Sequence, residues 1–297
     1  MFLNLRSILS YRKSFRKWPR VLYKIFKHSY PFEVRLKDGK SYVVYGHTQV
    51  YFLLKGGKPV IFNKNSNILS IQYNGRTIQF VDALENGEIY EIFVQESYQE
   101  LRIPNSIIVD VGANIGDSAI YFALGGARRV IAIEPQLKSY ESMISNVKLN
   151  KLEGVIIPIR AGVGAKHEIL SMDASVADPS GGTGLIPKLR GDQLQISDIH
   201  YIVDHFLSDV NLLKIDCEGC EYDFIDGASA EDLRKFKRII VEYHYGPKKI
   251  IEKLEKVGFQ ILVRPSMRGY NTQSKPHLMS TGIIISTLED KKNYKLC

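Results

Sequence analysis

The stretch Ile107–Asp117, IIVDVGANIGD, constrains this chain more than any other. Ile107, Ile108 and Val109 run into the carboxylate of Asp110, and a glycine-bearing turn follows at once, before the helix-like SAIYFALGG. A buried strand, a tight turn and a helix N-terminus in that order leave backbone N–H groups facing a ligand. Gly112 and Gly116 let the chain turn sharply and approach that ligand closely, and Asp110 is placed to hold a cationic or hydroxylic part of it. An ordinary βα turn that happens to contain glycine is the plain alternative for this stretch taken alone.

Departures from other glycine loops narrow the ligand. A dinucleotide fingerprint, G-x-G-x-x-G, needs glycine where Asn114 stands, and no lysine follows Gly116 as a P-loop requires. With Asp110 before the loop, few N–H groups free for a pyrophosphate and no cation nearby, the pocket suits a ligand of little negative charge. S-adenosylmethionine, with its sulfonium, amino acid group and adenosine, fits. The next β-branched run, Arg129–Ile133, ends in Glu134-Pro135. That places an acid at a strand end about 20 residues after the loop, where such folds hold ribose hydroxyls.

Charge is informative once located. Residues 1–30 hold eight Lys or Arg and no Asp or Glu, so the whole net charge of +8 lies there. On a helical wheel Leu5, Ile8, Tyr11, Phe15, Trp18, Leu22, Ile25 and Phe26 share one face and the cations the other, with Pro19 dividing or kinking the segment. Such a segment lies at an anionic membrane interface, or packs on its own domain with solvated cations. No apolar run is long enough to span a bilayer, and no apolar region of a secretory signal follows the charges. Three cysteines do not make a disulfide framework and point to a reducing compartment. A cytoplasmic protein, peripheral on the inner face of the membrane, is expected.

Residues 32–81 alternate around Asp38-Gly39 and Asn74-Gly75, the pattern of a small antiparallel β region. GEIYEIFVQESYQEL is helix-compatible, and Tyr98 within it is placed to close over the cofactor or to pack. From Ser106 onward strands and helices alternate, which means a parallel sheet covered by helices, and TGIIIST with FQILVRP reads as an antiparallel hairpin closing it. The glycine-rich Ser175–Arg190 reads as a mobile loop over the site, and Arg264–Ser280 as a polar loop. The expected organisation is a basic helical segment over 1–30, a cap region over 31–102, a catalytic domain over 103–287 and a polar tail over 288–297.

A second constellation is KIDCEGCE, Lys214–Glu221. Asp216, Glu218 and Glu221 gather at the end of a core strand, and gathered carboxylates call for a cation, a metal or substrate hydroxyls. Glu242 and His244 end the neighbouring strand, which makes His244 a candidate general base. Cys217 and Cys220 are weighed as a redox pair or zinc ligands, and neither context is present.

VDVGANIGDSAIYFA, IAIEP, LLKIDCEGCEYDFI and VEYH, in this order and spacing, resemble the FkbM family of S-adenosylmethionine-dependent methyltransferases over residues 98–265. The resemblance implies a seven-stranded class I methyltransferase sheet with a terminal antiparallel hairpin, and O-methylation of a sugar, glycolipid or other hydroxylated metabolite. It also implies that Asp110, Gly112, Asn114, Gly116 and Glu134 contact the cofactor, while Asp216, Glu218, Glu221, Glu242 and His244 line the acceptor side. Cys220 stands where the family commonly has glycine. Proton removal by His244 or a carboxylate ranks ahead of assistance by a divalent metal, and no metal ligand is assigned. The alternatives are a binding or scaffold module without turnover at a membrane, and a nucleic-acid methyltransferase. The second is disfavoured because the basic excess is confined to the terminus, so no nucleic acid partner is expected.

Overall fold

The chain is described by a computed structural model over residues 5–55, 60–172, 192–207, 211–265 and 281–288. It divides into two units, Met1–Ser97 with Lys148–Asn150, and Tyr98–Val147 with Lys151–Cys297. In the first, α1 (Leu5–Ser14) and α2 (Trp18–Phe26) come from the basic segment. The break between them precedes Pro19, which sits in the first turn of α2, where its missing N–H removes no helical bond. A hairpin, β1 (Phe32–Arg35) and β2 (Ser41–Val44), turns at Asp38-Gly39. Then come α3 (His47–Leu54), an antiparallel sheet of β3 (Ile61–Asn63), β4 (Ile68–Tyr73) and β5 (Arg76–Phe80), and α4 (Glu88–Phe93). Asn74 and Gly75 both take positive φ, as a two-residue hairpin of this hand requires.

Helix α3 is absent from the sequence expectation for a physical reason. Six of its eight residues are buried, so no polar face alternates with an apolar one to announce it. Its polar side chains are satisfied inward: Thr48 Oγ1 donates to the Ala83 carbonyl at 2.7 Å, and Gln49 Nε2 donates to the Val60 carbonyl.

Tyr11, Phe15, Val21 and Ile25 are buried with Val34, Val44, Val50 and Leu53 in the core of this unit, and Trp18 and Leu22 pack against it. Most of the apolar face read from the sequence is therefore inside the fold, while Phe26 is outside it. Phe15→Ala should lower stability by about 3–5 kcal/mol, the cost of emptying a buried phenylalanine site. Denaturant unfolding measures it, and an unchanged midpoint would remove the segment from the core.

In the second unit the β-branched runs form one sheet. Its elements are β6 (Ile107–Val111), α5 (Asp117–Leu124), β7 (Arg129–Ile133), α6 (Leu137–Leu149), β8 (Ile156–Ile159), β9 (Gly162–Val163), β10 (Glu168–Met172), β11 (Asp192–Ser197), α7 (Ile199–Phe206), β12 (Asn211–Ile215), α8 (Glu221–Gly227), α9 (Ala230–Leu233), β13 (Arg238–Tyr243), α10 (Lys248–Val257), β14 (Gln260–Pro265) and β15 (Gly282–Thr287). The seven-stranded order is β14-β15-β13-β12-β6-β7-β8, and β15 is antiparallel to both β13 and β14. Strands β6 to β8, β12 and β13 run parallel, the class I methyltransferase arrangement. A small sheet, β10-β11-β9, is added to the expected pattern. The segments read as loops over Ser175–Arg190 and after Pro265 lie outside the described residues, as does the tail beyond Leu288. Among the described residues no helix is long and apolar enough to cross a membrane.

Candidate active site

The chain steps from β6 outward through β7 and β8 on one side, then returns to β12 and β13 on the other. The order thus reverses between β6 and β12, and open α/β sheets place ligands beyond the carboxyl ends of strands at such a point. The loop after β6 reaches that edge with Gly112, Asn114 and Gly116 all at positive φ. A Cβ on Gly112 would collide with the Asp216 carbonyl oxygen, so at that point the loop and the turn after β12 meet main chain to main chain. A Cβ on Gly116, which caps α5, would lie 2.9 Å from the Met143 side chain.

Most of the loop's N–H groups turn inward, which accounts for the few expected to be free for a pyrophosphate. Gly112 and Ala113 both donate to the Ile133 carbonyl at 3.0 Å, Gly116 donates to Ala113, and Asn114 donates to Glu134 Oε2 at 2.9 Å. The loop is therefore no anion cradle. Glu134 is buried at the end of β7, and its other oxygen accepts the Gln136 N–H at 2.8 Å. Burial raises its pKa to about 7 against the pull of those N–H groups and Lys214.

Asp110 is not exposed to a ligand. It is fully buried, accepts the Ser118 hydroxyl at 2.6 Å and pairs with Lys214 Nζ at 3.1 Å. Lys214, which lies opposite Asp110 in the β12–β6 register, also donates to the carbonyls of Gly112 at 2.9 Å and Val111 at 3.3 Å. The sequence reading gave it no role, although a lysine inside the apolar run NLLKI is the signal that was there to find. Tyr98 packs beside Lys214. Its ring lies 5.6 Å from Lys214 Nζ, and its hydroxyl is 3.3 Å from Asp216 Oδ2 and 3.4 Å from Glu242 Oε2, on the acid side of the site.

The turn after β12 carries the rest. Glu221 is fully buried and accepts the N–H of Gly219 at 2.8 Å and that of His244 at 3.2 Å, with His244 Nδ1 at 3.0 Å. It is thus a positioning residue, not a lining one. His244 Nε2 faces Glu218 at 3.4 Å and Asp216 at 3.8 Å. Burial would lower the pKa of His244, but the bond to Glu221 and the charges of Asp216, Glu221 and Glu218 outweigh it and hold the imidazole at about 9. A raised pKa of this direction favours the imidazolium, which argues against His244 as the group that takes the proton. Burial and the charge of Asp216 raise Glu242 to about 7. Glu218, at φ +56, is half-exposed and raised by burial.

Cys217 and Cys220, discounted as actors above, are joined as a disulfide with Cα atoms 5.5 Å apart. The bond closes the turn around Glu218 and Gly219, both in left-handed conformations. Asp216, Glu218 and His244 each bring a ligand-type atom within 4.8 Å of the others, a set able to hold a metal ion.

The methyltransferase FkbM domain matches residues 110–261, more than half of the chain. The chain belongs to the FkbM methyltransferase family. Methyltransferase 1 of Beauveria bassiana is 24% identical over 177 residues, covering 51% of this chain and 70% of that protein. AMB antimetabolite synthetase AmbE of Pseudomonas aeruginosa is 24% identical over 213 residues, covering 58% of this chain but only 10% of the synthetase. The crystal structure of methyltransferase FkbM from Methylobacillus flagellatus aligns at TM-score 0.44 and 17% identity, covering 66% of this chain and 47% of that one.

In this FkbM-family protein Lys214→Met should cost about 3–5 kcal/mol, because it leaves the Asp110 carboxylate buried without its partner. Adding Asp110→Asn should recover most of the loss. Equilibrium unfolding of the single and double variants checks both, and equal losses would deny the coupling.

Proposed function

We propose that this methyltransferase uses S-adenosylmethionine to methylate a hydroxyl oxygen of a sugar, a glycolipid or another hydroxylated metabolite. The observation that supports it most is the juxtaposition, at one sheet edge, of buried Glu134 beside the glycine loop with Glu242, whose proton affinity sits at working pH. The residues fit the cofactor. Each Glu134 oxygen accepts one backbone N–H, which leaves acceptor capacity for ribose hydroxyls, and a loop whose N–H groups are spent internally suits a ligand without phosphate. Glu134 and the Gly112–Gly116 loop would hold it. Bound there, the cofactor supplies a sulfonium methyl group that is already electrophilic.

What remains for the chain is to orient an acceptor hydroxyl and remove its proton. Tyr98 and Asp216 offer a donor and an acceptor beside Glu242. Glu242 takes the proton, since its carboxylate is populated near neutral pH. His244, as imidazolium, balances the charge of the surrounding carboxylates and donates rather than accepts.

Calorimetry tests the cofactor half. A Glu134 pKa near 7 means that the free protein is protonated below that pH, while ribose bonds favour the ionised form. S-adenosylmethionine affinity should therefore rise about tenfold between about pH 6 and about pH 8, and the rise should vanish in Glu134→Gln. No binding at any pH would remove the enzyme reading and leave the scaffold.

Transfer of labelled methyl groups into the glycan and lipid fractions of a cell extract tests the acceptor half. Glu242→Gln should lower turnover by about 100-fold or more with cofactor affinity intact. Label confined to nucleic acid would sink the proposed acceptor class. Activity lost to a chelator, with Glu242→Gln silent, would transfer the proton-removing role to a metal held by Asp216, Glu218 and His244.

A further inference from the structure

The eight cations of residues 1–30 come without a carboxylate among them, and the fold sorts the segment by side. Val21 and Ile25 face the core of the first unit. The other side of α2 carries Arg20, Tyr23, Phe26 and Lys27, all exposed, with Tyr23 at 60% and Phe26 at 72% of their full surface in solvent. Spacings of three and four residues place them in one stripe. Lys27 Nζ lies 5.9 Å from the Phe26 ring centroid, so the charge sits beside the ring rather than away from it. Single exposed apolar residues need no explanation, but two aromatic rings one turn apart within a stripe of cations do.

The hairpin turn adds charge to the same unit. The Arg16 N–H donates to the Arg35 carbonyl at 2.8 Å and the Lys37 N–H to the Ser14 carbonyl at 3.0 Å, which docks exposed Arg35 and Lys37 against the α1–α2 junction. Asp38 in that turn already has a cation, Lys40, at 3.5 Å.

We propose that the outer stripe of α2 binds an anionic lipid bilayer surface. Headgroup regions accept amphipathic aromatic rings, and anionic lipids attract cations at their rim. The convex side of a single helix offers two rings to a plane, whereas a nucleic acid strand is tracked by a charged groove. The mode differs from the one read in the sequence. Tyr11, Phe15 and Ile25 are committed to the core, so the segment does not lie with its apolar face in the lipid. Contact is made by the opposite side while the unit stays folded, and two rings with a few cations give superficial, reversible attachment.

The test is co-sedimentation of the full chain with vesicles of phosphatidylcholine alone and of phosphatidylcholine mixed with phosphatidylserine, at near-physiological salt. Binding is expected to the mixed vesicles only, and to be released by high salt. Arg20→Glu with Lys27→Glu should weaken it by about 25-fold or more, at about fivefold for each cation lost. Tyr23→Ser with Phe26→Ser should weaken it about tenfold at unchanged net charge. Both pairs of variants should keep the parent melting temperature, because the side chains replaced lie outside the core. Equal sedimentation with neutral vesicles, failure to sediment with either, or indifference to the aromatic pair would overturn the proposal. So would RNA or duplex DNA that binds the stripe more tightly than the mixed vesicles and displaces them.

Discussion

The ion pair between Lys214 and Asp110 is the contact on which the catalytic unit depends. It joins adjacent central strands at the point where the sheet reverses its order, and Lys214 extends it by donating to two carbonyls at the start of the glycine loop. Two charges taken so far from water are tolerated only because each has the other and further polar partners. The consequence is positional. The start of the loop after β6 is tied to β12 by the Lys214 side chain, beside the bond from the Asp216 N–H to the Val111 carbonyl at 3.1 Å.

Charge is distributed over the rest of the site by the same rule. Glu221 spends its acceptors on the turn and on His244, and His244 in turn answers Glu218 and Asp216. Beside His244, whose pKa its carboxylate neighbours raise, burial and the charge of Asp216 raise that of Glu242, as burial raises that of Glu134 at the loop.

Much of this was legible in the sequence, and what was not has identifiable causes. The β-branched runs gave the strands, the glycine spacing gave the loop, and the distance to Glu134 gave its place at the next strand end, because each is local and periodic. Helix α3 escaped because burial on nearly all sides erases its period. The apolar face of the first 30 residues was visible, but a helical wheel does not say whether a face meets lipid or its own protein, and here it meets Val34, Val44 and Leu53. The state of His244, the inward turn of Asp110 and the place of Tyr98 on the acid side all follow from distances across strands, which no spacing along the chain encodes. The cysteine pair was seen and set aside, since its three-residue separation has several meanings until the turn's backbone is known.

The approach of Gly112 to the Asp216 carbonyl has a further consequence. At that point the two segments meet backbone to backbone, and the positive φ of Gly112 adds to the lack of room for a Cβ. Position 112 is therefore closed to any residue with a side chain. A change in what the site accepts has room instead at the half-exposed side chain of Glu218, beyond that contact.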